Sequence, residues 1–180
     1  MTAALRTRAS LEDALIAWVR LVLPAGREVI GWPTAPRPLL PYASIRIADI
    51  APIGQDDRGA VDLGTGLQVI YGDRLVTVSV QAFGPGALDI VRALANSIWK
   101  RSVSAVLLAS GLCPQQPGPI NDLTKFLETE SEERAHVDMN FGIKDLDTDN
   151  VGVIEHVVGD GTIRTETGEQ ILISFAADLA

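Results

Sequence analysis

The sequence predicts an α+β fold: an α/β sandwich in which a mainly antiparallel mixed sheet carries two main helices on one face, with a C-terminal β-meander added. Three observations predict it. Apolar residues recur at helical spacing over residues 11–23 and again over 88–98. Residues 76–82 and 134–143 alternate between apolar and polar, as strands with one buried face do. The last thirty or so residues break into short apolar runs separated by glycine. With 180 residues, 47% of them hydrophobic, the chain is long enough to bury one proper core.

The first helix is expected to begin at Ser10 as N-cap, with Glu12 and Asp13 in its first turn, where they complement the helix dipole. Leu11, Leu15, Trp18 and Val22 mark its apolar face, and Pro24 with Gly26 stops it. A short strand follows over 27–32. Residues 33–41 hold four prolines and form a stiff connector, because proline removes a donor and favours extended backbone. Residues 42–50 alternate as a strand, with Ser44 and Arg46 on its polar side. The glycine- and aspartate-rich stretch 54–66 is expected as a surface loop. A hairpin comes next: 67–70, a turn at Tyr71-Gly72-Asp73-Arg74, then 75–83. Val76, Val78, Val80 and Ala82 form one face of that second strand, and Thr77, Ser79 and Gln81 the other.

The second helix spans 87–100, with Leu88, Val91, Leu94, Ala95 and Ile98 inward. A third, shorter one spans 103–110, capped by Ser102 and ended by Gly111. A turn-rich connector covers 114–119, and a helical turn is expected over 122–128. Residues 134–143 set Ala135, Val137, Met139 and Phe141 against His136, Asp138 and Asn140. The meander then comprises strands over 151–158, 163–167 and 170–175, with turns at Gly159-Asp160-Gly161 and Gly168-Glu169. In domain terms, residues 1–150 form the α+β body and 151–180 a hairpin or meander extension of the same domain.

The formal net charge of −8 argues against a protein that grips nucleic acid, which needs clustered Lys and Arg to displace counterions. The apolar runs are too short to span a bilayer, no signal peptide is evident, and no membrane partner is expected. His136 and Asp138 lie two apart on one strand face, but two histidines and one cysteine are too few for a structural zinc site, so no metal is expected. Cys113 has no nearby His and reads as a small buried hydrophobe. No Gly-x-Ser-x-Gly elbow and no phosphate-cradling glycine loop occurs, so neither a catalytic site nor a cofactor is expected. Trp18, Trp32 and Trp99 read as core or interface anchors.

Three stretches carry a family resemblance. One is the proline-rich run Trp32-Pro33-Thr34-Ala35-Pro36-Arg37-Pro38, closed by Leu40-Pro41-Tyr42. Another is Val76-Thr77-Val78-Ser79-Val80-Gln81-Ala82-Phe83-Gly84 followed by Ala87-Leu88. The last is Glu132-Glu133-Arg134-Ala135 leading into Val137-Asp138-Met139-Asn140-Phe141-Gly142 and then Val151-Gly152-Val153-Ile154-Glu155. Over residues 11–158 the chain resembles the phage neck terminator proteins. The resemblance implies a non-enzymatic virion protein, made in the host cytoplasm and located in the neck of a tailed phage. It implies a homo-oligomeric ring, hexameric in related tail terminators, that ends tail-tube polymerisation. The implied partners are the tail tube, the sheath where there is one, and head-completion or connector proteins, with DNA passing through the channel without specific binding. In that setting Thr77, Ser79, Gln81, His136, Asp138 and Asn140 are candidates for a lumen face, a subunit interface or plain solvent. The alternatives are a head-completion, connector or minor tail protein, and a small ligand-binding domain or enzyme. Residues 159–180 fall outside the resemblance.

Overall fold

The computed structural model describes residues 7–24, 27–30, 38–127, 130–153, 156–164, 166, 168 and 170–178. Within them the order is α1 (Arg8–Arg20), β1 (Glu28–Ile30), β2 (Tyr42–Pro52), β3 (Asp57–Val61), β4 (Leu67–Phe83), α2 (Ala87–Ser97) and α3 (Arg101–Ala109). Then come β5 (Cys113–Pro114), β6 (Asn121–Asp122), β7 (Lys125–Leu127), β8 (Glu130–Glu132), β9 (Arg134–Asn150), β10 (His156–Arg164) and β11 (Gln170–Asp178). The main sheet has seven strands in the order β1-β2-β4-β9-β5, with β3 also paired to β4 and β6 to β9. β1 joins parallel to β2, and the other strands run antiparallel. The mixed, mainly antiparallel sheet with helices packed on it is the α+β fold expected, its three helices being the two main ones and the shorter third.

The chain falls into two compact units, one made of Met1–Asp57 with Tyr71–Asp147, the other of Arg58–Ile70 with Thr148–Ala180. In the first unit the core lies between the helices and one sheet face. Leu11, Leu15, Trp18 and Val19 of α1, Val91 and Leu94 of α2, and Val103 and Leu107 of α3 pack on Ile45, Val76, Val78 and Val80, and on Val137, Met139 and Phe141. Strand alternation puts all these sheet residues on the same side. Trp18 is at the centre, edge-on to Phe141 with ring centroids 5.7 Å apart. Its indole Nε1–H donates to Ser97 Oγ at 2.8 Å, and the Ser97 hydroxyl donates to the Leu94 carbonyl at 2.7 Å. Leu88, expected inward, is 40% exposed because it sits past the edge of the buried stripe.

Helix boundaries differ from expectation for local reasons. α1 starts one turn earlier: Thr7, not Ser10, is the N-cap, its Oγ1 accepting from Ser10 N at 3.3 Å, and Arg8 pairs with Glu12 one turn on. α2 stops at Ser97 rather than at residue 100, because Lys100 N donates to Ser97 O and Lys100, not Ser102, becomes the N-cap of α3. Gly86 N-caps α2 at φ 76°, and its N–H is held by the Glu133 carboxylate at 2.8 Å.

Other segments overturn the expected loops and turns. β4 runs unbroken through Tyr71-Gly72-Asp73-Arg74, where a hairpin turn was expected. The Arg74 guanidinium occupies the space a Cβ on Gly72 would need, and it pairs with Asp56 at 2.6 Å and Asp145 at 3.6 Å. Glycine thus serves side-chain packing there, not a turn. The loop expected over 54–66 contains β3. The helical turn expected over 122–128 is replaced by β6 and β7, the latter paired to β8; residue 128 lies outside the described residues. The connector over 114–119 hugs the outer edge of β9, Gln115 N and Gly118 N donating to the carbonyls of Asn140 and Asp138 at 2.8 Å each. Cys113 is exposed on that edge, not buried. Of the proline-rich connector, residues 33–37 lie outside the described residues.

In the second unit, the Asp62 carboxylate accepts from Gly64 N at 2.9 Å, and Gly66 N donates to Asp62 O at 2.7 Å. The Gly64 bond, with those of Thr65, holds the Asp62 carboxyl below its ordinary range. Gly66 has φ 69°, and a Cβ there would meet Gly152 Cα at 3.0 Å. Among the described residues the hairpin or meander extension is a two-stranded hairpin: β10 and β11 pair antiparallel from His156↔Asp178 to Arg164↔Gln170. Gly159-Asp160-Gly161, expected to turn, is inside β10, and residues 151–153 are not strand. Residues 154, 155, 165 and 167 of the expected strands lie outside the described residues.

Candidate interaction face of the sheet

The six polar residues singled out in the sequence meet on the sheet face opposite the helices. β4 and β9 are adjacent central strands, so Thr77, Ser79 and Gln81 stand beside His136, Asp138 and Asn140. Thr77 Oγ1 donates to Asn140 Oδ1 at 3.2 Å. His136 Nε2 lies 3.1 Å from Ser79 Oγ and 3.1 Å from Asp138 Oδ1, so one ring nitrogen serves both neighbours. Gln81 Oε1 accepts from the Arg134 guanidinium at 2.6 Å.

Five further residues belong to the same face. Pairing of β2 with β4 sets Ser44 opposite Gln81 and Arg46 opposite Ser79, so the polar face is three strands wide. Tyr42 pairs with Phe83 across the same strands and stacks on it, centroids 4.9 Å apart, and the Arg134 guanidinium lies 5.0 Å over the Phe83 ring. Alternation along residues 42–50 marked Ser44 and Arg46 as polar-face residues. Only the pairing order places them beside the other six, and single-strand patterns do not encode it.

The face is half-buried, and Ser79, in contact with His136, is 7% exposed. Among the charged residues named, Arg46 and Arg134 stand against Asp138, with His136 as a titratable fourth. The Thr77–Asn140, Ser79–His136 and Gln81–Arg134 bonds tie the two rows together, while the buried Arg134 Nε has no hydrogen-bond partner among the described residues. Among the described residues, no group of three or more His, Cys, Asp or Glu is arranged to hold a metal ion, and no helix is long and apolar enough to cross a membrane.

Comparison with family models matches residues 9–168 to the phage neck terminator proteins. The chain belongs to the phage neck terminator protein family. The match extends beyond the resemblance over residues 11–158 to take in residues 159–168. No curated protein matches the chain. Neck terminator proteins are structural components of the phage virion, so this chain is not an enzyme. Family membership gives it a place in the tail or neck and an interaction with the tail tube and head–tail components.

Proposed function

We propose that the chain closes into a hexameric ring at the head-proximal end of the tail tube, ends tube polymerisation there, and joins the tail to head-completion proteins around the DNA channel. The observation that carries this reading is the family match over residues 9–168. The sheet supports it physically: a preorganised polar face offers a neighbour hydrogen-bonding groups at small entropic cost. In this reading Thr77, Ser79, Gln81, His136, Asp138 and Asn140 contact a neighbouring protein rather than line the lumen. The net charge of −8 per copy suits a channel that DNA crosses without adhering, since like charges repel.

Deleting the gene from the phage and measuring tails in the lysate by negative-stain electron microscopy tests the proposal. It predicts headless tails of unregulated length, and restoration of one length by the intact gene supplied in trans. Tails of uniform length without the gene refute the termination role.

A further inference from the structure

Resting on the ring reading, we propose that the exposed face of the β10–β11 hairpin of one copy docks on the Trp99 corner of the next copy. Trp99 lies in the turn between α2 and α3 and is 63% exposed. With Ala95, Asn96, Gln116, Pro117 and Ile120 it lines a groove of about 430 Å³. Lys100 and Arg101 are exposed beside it. No acidic residue occurs between Asp89 and Asp122, while residues 121–180 hold fourteen acidic and four basic ones. The corner is thus a basic, aromatic site on an acidic chain.

The hairpin is its complement. Register sets Val158 opposite Ala176, Asp160 opposite Ser174 and Thr162 opposite Leu172, so these six residues share one face of the ribbon. Leu172 is 83% and Val158 62% exposed, with Asp160 between them along the ribbon. Among the described residues the ribbon has no third strand. A two-stranded ribbon is marginal in water unless it packs on something. A second copy fits on two grounds. Asp160 matches Lys100 and Arg101 in charge while Leu172 and Val158 match the Trp99 groove. A ring also needs a head-to-tail contact between two different patches of one chain. Burial of an aromatic anchor with charges at the rim is the usual arrangement of a strong contact.

The test is photo-crosslinking in assembled particles, with p-benzoylphenylalanine at Leu172. The expected product is a chain–chain dimer whose crosslinked peptide contains Trp99 or Pro117. A crosslink to another segment of a second copy, to a different protein or within one chain overturns this interface and leaves the ring reading standing. Absence of the chain from the neck overturns both. In parallel, Asp160→Lys is expected to lower infectious titre by about tenfold or more, and Lys100→Asp with Arg101→Asp to restore it. Failure of that restoration also overturns the interface.

Discussion

Substituting Ser97 with alanine removes the acceptor of the buried Trp18 indole N–H, which lies 2.8 Å from Ser97 Oγ. Both residues are fully buried, so water cannot replace the lost partner. Leaving a buried donor unsatisfied costs about 1–3 kcal/mol. Alanine's better helix propensity, worth about 0.5 kcal/mol near the end of α2, offsets part of it. Ser97→Ala is therefore expected to destabilise by about 1.5 kcal/mol. Trp18→Phe loses the same bond and part of the ring packed on Phe141, for about 2–3 kcal/mol. Once Trp18 is phenylalanine, Ser97→Ala orphans nothing on the indole side and its cost falls by about 1–2 kcal/mol. Urea unfolding of the four proteins, followed by circular dichroism at 222 nm, measures this coupling. The three helices among the described residues belong to the first unit, so the signal reports its core. Additivity within about 0.3 kcal/mol would refute the claim that this hydrogen bond anchors α1 to α2.

Four other outcomes are expected. Gly84→Ala lowers stability by about 1–3 kcal/mol, because φ is 91° and the new Cβ would stand 2.9 Å from Leu40 Cδ2; an unchanged urea midpoint contradicts it. The Asp56 carboxyl is held below its ordinary value of 3.8, chiefly by hydrogen bonds from Arg74, so its contribution is present above that value and lost as pH falls through the lower, folded one. Asp56→Asn should flatten the acid limb of the stability–pH profile, and an identical limb speaks against the pairing. Exposed Cys113 should react with a thiol reagent in the native chain without denaturant, at the rate of an accessible thiol. Thr77→Lys places a charge on the open face, so it should leave the circular dichroism spectrum intact and reduce incorporation into particles; full incorporation would show that the face meets no partner.

Much of the core was legible because it depends on local periodicity. Val76, Val78 and Val80, like Val137, Met139 and Phe141, announce a buried strand face by alternation alone. Leu11, Leu15 and Trp18 do the same for α1. What escaped depends on contacts distant in sequence. Gly72-Asp73 looks like a turn until Arg74 is known to lie across the glycine and reach Asp56 and Asp145. Gly159-Asp160-Gly161 looks like another until pairing with Phe175, Ser174 and Ile173 of β11 carries the strand straight through it. The polar face was half legible: its two rows were read from alternation, but their adjacency, and the part played by Ser44, Arg46 and Arg134, come from the order β2-β4-β9.

Cryo-electron microscopy of intact virions shows directly where this chain sits in the particle. Six copies are expected in a closed ring between the last tail-tube ring and the head-completion proteins, with Thr77, Ser79 and His136 against a neighbouring protein. The chain found at another position, or an open rather than closed arrangement in the neck, would contradict it.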